Sequence, residues 1–182
     1  NLKKWEKFDL SGYVVMGSNG EAVFLSLSEK IKLVETVKEN SSNDKIIIAG
    51  TGLESINETV SLTNSCADAG ADYALVLTPS YYKSKMGDIA QSEYFTKVAD
   101  KSKIPIIIYN VPKFTGINIS YEIIAQLAEH QNIVGVKNSS ENIADLSKII
   151  KARVVEIIEQ VYVEIKNDGY NENKKKLIAG IV

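Results

Sequence analysis

Five short apolar runs, rich in β-branched residues, punctuate the chain: Tyr13–Met16, Ile46–Ala49, Tyr73–Leu77, Ile106–Tyr109 and Ile133–Lys137. Each is continuous rather than alternating, the pattern of a strand buried on both faces. Between them lie segments with the 3.6-residue period of helices: Glu29–Lys38, Ile56–Ala69, Ile89–Lys101 and Tyr121–Glu129. Ser28 is the expected N-cap of the first and Ser120 of the fourth, whose stripe is Ile123, Ile124, Leu127 and Ala128. The strands begin at 13, 46, 73, 106 and 133, so the steps are 33, 27, 33 and 27 residues. That is the cadence of parallel βα units joined by right-handed crossovers. A closed (β/α)₈ barrel takes about 250 residues, so this chain has room for about six units.

The last fifth breaks the pattern. Ile143, Leu146, Ile150, Val154, Ile157 and Val161 follow helical spacing, while Val161, Val163 and Ile165 alternate as a strand does. Both readings stand, with β-branched density favouring a strand after about Ile158. Asn171–Lys176 is polar, and Leu177–Val182 is a short apolar end.

Composition changes this picture only at its margins. With 45% hydrophobic residues in 182, one core can form and disorder is excluded as the main state. No run approaches the roughly 18 apolar residues of a membrane span. The net charge of −2, with lysines spread along the chain, gives no footprint for nucleic acid. One cysteine, Cys66, excludes an internal disulfide, fits a reducing compartment and reads as core. One histidine, His130, leaves no His-rich metal site and is expected at the surface. Lys174–Lys176 reads as a solvated face. Asn1–Trp5 is neither a signal nor a transit peptide, and no initiating Met precedes it, so a start within a longer gene product is expected.

In parallel α/β folds, chemistry collects at the carboxyl ends of the strands. Three such ends here carry unusual residues. Gly17-Ser18-Asn19-Gly20-Glu21 offers tight turns, free N–H groups and the side chains of Ser18 and Asn19, a cradle for a small carboxylate or simply a polar turn. It lacks the Lys-Ser/Thr of a P-loop. Tyr109, in Tyr109-Asn110-Val111-Pro112, can relay protons from a strand end or pack in the core. Lys137 ends the apolar Ile133–Lys137 run; burial would lower its pKa and leave the amine ready to attack a carbonyl, whereas a lysine just past the strand would snorkel to water. Amine, phenol and carboxylate cradle facing one pocket are the parts of a Schiff-base enzyme for a 2-oxo acid. Tyr81 and Tyr82 lie on a further strand-end loop, as a hydroxyl source or a subunit contact.

These three motifs, in this order and spacing, resemble the signatures of the dihydrodipicolinate synthase/N-acetylneuraminate lyase family of class I aldolases. The resemblance runs from about Leu10 to about Ile150 and implies a (β/α)₈ TIM barrel, usually tetrameric, that needs no metal or cofactor. It makes Lys137 the Schiff-base lysine and Tyr109 the relay phenol. Ser18 and Asn19 would hold the carboxylate or join the relay, and Ser139 would be a polar pocket residue. Tyr81 matches the tyrosine that reaches into a neighbouring subunit's site. Ser-Asn in the glycine motif, the Tyr81-Tyr82 pair and Phe114 look most like the animal 4-hydroxy-2-oxoglutarate aldolases, which cleave their substrate to pyruvate and glyoxylate. The synthases carry a carboxylate-gripping arginine where Phe114 stands, and phenylalanine cannot do that.

The expected domains are a partial barrel over 1–150 and an unrecognised tail over 151–182. The first and eighth βα units are expected to be absent and the seventh is doubtful. Those positions are neighbours in a closed barrel, so one opening in the wall should expose apolar faces of the sheet. The alternatives to the aldolase are a related 2-oxo acid enzyme of the family, with the N-acetylneuraminate lyase type as runner-up and the dihydrodipicolinate synthase type beside it, or a non-catalytic barrel fragment that pairs with homologous subunits. The expected partners are a 2-oxo acid and further copies of the chain, with no membrane and no nucleic acid. The location is expected to be intracellular, and mitochondrial if the animal aldolase resemblance holds.

Overall fold

The computed structural model of the chain describes residues 1–140 and 177–180. A one-turn helix, α1 (Leu2–Trp5), leads into β1 (Leu10–Val15), α2 (Leu27–Asn40), β2 (Ile46–Gly50), α3 (Ile56–Asp68), β3 (Tyr73–Leu77), α4 (Asp88–Lys101) and β4 (Ile106–Asn110). A one-turn α5 (Pro112–Thr115), α6 (Tyr121–Leu127) and β5 (Ile133–Asn138) follow, and Leu177–Gly180 forms β6. The sheet runs β5-β4-β3-β2-β1-β6, and every pairing is parallel. This is an α/β partial barrel: the thirty-residue cadence predicts its parallel βα units, and the family resemblance implies the barrel.

One correction and one addition concern the elements. The N-cap of α2 is Ser26, not Ser28: its Oγ accepts from the Glu29 N–H, and the Glu29 carboxylate accepts from the Ser26 N–H at 2.9 Å. Glutamate three residues on is the partner that a capping box requires, and it selects Ser26. Ser120 does cap α6, accepting from the Ile123 N–H. The apolar end at 177–182 contributes β6, which lies along the free edge of β1. The strand or helix expected between Ile143 and Ile165, and Lys174–Lys176, lie outside the described residues.

Packing divides the sheet into two faces. On the outer face, Tyr13, Val15, Ile47 and Ala49 meet Val34 and Val37 of α2 and Leu62 and Cys66 of α3. Val76, Ile106, Ile108 and Val136 meet Phe95 and Val98 of α4 and Ile124 and Leu127 of α6. On the inner face, Ile48, Leu75, Ile107 and Tyr109 form one apolar layer with Val14, Leu77 and Val134. Both faces are apolar, which is why the strands read as continuous runs. The inner layer is buried rather than bare: Ile48 and Ile107 are 8% and 9% exposed. Large apolar exposure falls instead on loops and helix starts, at Val23, Phe24, Tyr81, Tyr82 and Ile89.

Candidate active site

Tyr109 ends the inner face of β4, and the register sets Lys137 of β5 directly opposite it. Simple counting would not do so. Ile106 pairs with Ile133 and Ile107 with Gly135, so β5 carries one extra residue at Val134. Without that slip Lys137 would fall opposite Asn110 and point to the outer face. A bulge of this kind re-aims a side chain. Here it leaves the Lys137 ammonium 4.3 Å from the centre of the Tyr109 ring.

The third component arrives from β1. Met16, just past the strand, has φ 62°, a left-handed conformation that is unusual for a residue with a side chain. It turns the chain into a single 3₁₀ turn, Ser18–Gly20, and brings Ser18 Oγ to 3.2 Å from the Tyr109 hydroxyl. The N–H groups of Ser18 and Asn19 open that turn and have no partner within it.

The electrostatics at Tyr109 are contested. Burial pushes its phenol up. The hydrogen bond with Ser18, the charge of Lys137, and the hydrogen bonds with Ser139 and Lys137 act in the opposite direction and prevail, so its pKa lies below the ordinary tyrosine value. Lys137 itself is exposed, so of the two readings the sequence left open for this amine, buried or reaching to water, the structure shows the second.

Ser18, Tyr109, Lys137 and Ser139 therefore form one cluster. Asn19 shares the 3₁₀ turn but is exposed. Tyr81 stands apart. It is 78% exposed, meets Tyr82 edge to face at 4.9 Å, and with Glu54, Met86 and Tyr94 lines a cavity of about 450 Å³ that includes none of the four. Glu54 holds this loop, accepting from the N–H groups of Ser80 and Tyr81 at 3.0 and 3.1 Å. Nothing in the sequence marked Glu54 for that task. Phe114, on α5, is exposed. Cys66 is core, as expected. His130 is half-buried beside Asp100 and precedes β5, at the opposite end of the strand from Lys137.

The class these observations define is an α/β partial barrel with a lysine, a tyrosine and a serine converging at its strand ends. Residues 7–161 match the dihydrodipicolinate synthetase family, and the chain belongs to it. It is 41% identical over 151 residues to a 4-hydroxy-tetrahydrodipicolinate synthase of Methanothrix thermoacetophila, covering 83% of this chain and 50% of that protein. It is 40% identical over 149 residues to a probable mitochondrial 4-hydroxy-2-oxoglutarate aldolase of Emericella nidulans, covering 79% of this chain and 48% of that one. Among solved structures, the dihydrodipicolinate synthase of Acinetobacter baumannii complexed with pyruvate superposes with a TM-score of 0.77 at 33% identity, over 83% of this chain and 52% of its own. The chain thus spans about half the length of the curated relatives it matches. Among the described residues, no helix is long and apolar enough to cross a membrane.

Proposed function

We propose that the chain carries the Schiff-base half-site of a class I aldolase that cleaves 4-hydroxy-2-oxoglutarate to pyruvate and glyoxylate. The observation that carries this reading is the Lys137 ammonium lying 4.3 Å from the ring of a phenol whose pKa is lowered. The neutral Lys137 amine adds to the 2-oxo carbon, and loss of water from the carbinolamine gives the imine. The Tyr109 phenolate, backed by Ser18, takes the proton of the 4-hydroxyl. The bond between C3 and C4 then breaks, its electron pair enters the imine as an enamine, and glyoxylate leaves. Tyr109 returns the proton to C3, and water hydrolyses the imine to pyruvate and free lysine. The N–H groups of Ser18 and Asn19 bind the substrate's 1-carboxylate, and Ser139 lines the pocket.

A second reading is the synthase reaction, favoured by the name of the Methanothrix relative. Phe114 argues against it, because a ring cannot grip the carboxylate of a second substrate. Assaying the chain for cleavage of 4-hydroxy-2-oxoglutarate and for condensation of pyruvate with an amino-acid aldehyde rather than glyoxylate separates the two. Cleavage alone supports the aldolase, and condensation alone overturns it.

The exposed Tyr81, Tyr82, Val23 and Phe24 support a homo-oligomer, a tetramer by analogy with the family, in which Tyr81 reaches a neighbour's site. The partial barrel is assigned to 1–150 and the tail to 151–182. A mitochondrial location follows the Emericella relative's printed name.

A further inference from the structure

The aldolase reading leaves one buried polar cluster without a role. Asn110, the last residue of β4, is 2% exposed. Its Nδ2 donates to Oδ1 of Asn118 and to Oδ1 of Asn138, each at 3.0 Å. Its Oδ1 accepts from the Ile119 N–H at 3.1 Å, and its carbonyl accepts from the Ser139 N–H at 2.8 Å. Asn138 Oδ1 also accepts from the Ser140 N–H at 3.0 Å. The register explains the placement. Tyr109 pairs with Lys137, and one residue further Asn110 pairs with Asn138. Successive side chains alternate between faces, so the amide pair lies directly behind the reacting pair.

We propose that Asn110 is a positioning residue. With Asn118 and Asn138 it forms an amide clamp that ties the ends of β4 and β5 together and so holds Lys137 against Tyr109. The proposal rests on the roles given to those two residues above. Its physical basis is the position of the clamp. Parallel pairing between β4 and β5 ends at Asn110 and Asn138, and only the bond from Ser139 to the Asn110 carbonyl continues it. Strand ends fray, and Lys137 is the penultimate residue of β5. Three side-chain hydrogen bonds on one buried amide remove that freedom at the residue next to the phenol. They also tie in the Ile117–Ile119 segment that follows α5, so three chain segments meet at one side chain. An amide suits this task because it donates twice and accepts at the same time, which no hydroxyl, carboxylate or aliphatic group of that size does.

The test uses the full chain with ¹³C-labelled tyrosine, the Tyr109 signal being identified by its loss in Tyr109→Phe. Two quantities are read: the pH at which Tyr109 titrates, and the rate at which pyruvate and borohydride label Lys137. In Asn110→Leu, which keeps the size and removes every side-chain bond, Tyr109 should titrate at higher pH than in the wild type. Labelling should slow about tenfold or more, because ångström-scale misplacement of a reacting group is costly. Asn118→Ala removes one bond at an exposed residue and should move both readouts the same way by less; it decides the matter if Asn110→Leu does not fold. Thr63→Val breaks the buried Thr51–Thr63 hydrogen bond away from the site. It should lower the melting temperature and move neither readout. Wild-type titration and labelling in both asparagine variants would overturn the clamp. A wild-type chain that is never labelled would overturn the role of Lys137 instead, and the Tyr109 titration would still decide on the clamp.

Discussion

Tyr109 is pulled in two directions at once: burial favours the neutral phenol, and Ser18, Lys137 and Ser139 favour the phenolate. The second set prevails, so the base should be available below the ordinary tyrosine value of 10.0. The expected kcat/KM rises with pH through a midpoint below that value, and this limb disappears in Tyr109→Phe. A rise found only above it would contradict the assignment. Tyr109→Phe removes one hydroxyl and almost no volume, so the melting curve should be kept while kcat falls by about 10²–10⁴. An unchanged rate would make the phenol structural. Ser18, Tyr109 and Lys137 stand out in the sequence because each sits at or just past the carboxyl end of an apolar run, whereas Ser139 enters only through the family resemblance. Asn110 does not stand out, because its role depends on Asn118 and Asn138, which only the fold brings to it. Whether Lys137 is buried or exposed stays open in the sequence, because an apolar run does not reveal what covers its end.

Among the elements, strand and helix positions followed from the periodicity to within a few residues, and the misplaced features have local causes. The box Ser26-Leu27-Ser28-Glu29 holds two candidate caps, and only Ser26 has glutamate at the third helical position. Ser26→Ala should cost about 1 kcal/mol of stability, while Ser28→Ala should stay within about 0.5 kcal/mol of wild type. Denaturant titration of the two variants checks this, and the reverse order would return the cap to Ser28. Helix α5 is a single turn, too short to leave a period in the sequence. Its Pro112 start and its end at Gly116, φ 66°, mark it in hindsight. The slip at Val134 escapes sequence reading altogether, since a continuous apolar strand has no alternation to break. Yet it decides which face Lys137 occupies.

At the scale of the molecule, three buried acids share one behaviour. Burial, joined at Tyr13 by the hydrogen bond to Glu6, pushes Tyr13, Cys66 and Tyr94 each up to about 12. Their ordinary values are 10.0, 9.0 and 10.0. The folded state therefore keeps protons that the unfolded chain releases. Stability from these groups should be intact below pH 9, fall as pH rises from there, and be lost as it passes about 12. A denaturation midpoint that holds flat from pH 9 to 11 would contradict this. The exposed Val23, Phe24, Tyr81, Tyr82 and Ile89 predict association. Sedimentation should show a species larger than the monomer, shifted toward monomer by Phe24→Ser with Tyr82→Ser. A wild-type monomer at all concentrations would mean that these side chains are merely solvated.

The central claim is that Lys137 is the carbonyl-reactive amine, and covalent trapping addresses it most directly. The chain is incubated with pyruvate, reduced with borohydride, digested and mapped by mass spectrometry. Attack of the amine with loss of water gives the imine, and hydride addition to its carbon leaves an N-carboxyethyl group on the lysine. The account predicts that group on Lys137 and its absence from Lys137→Ala, with the fold of the variant retained. Pyruvate-dependent labelling that spares Lys137, or that persists undiminished in Lys137→Ala, would contradict it.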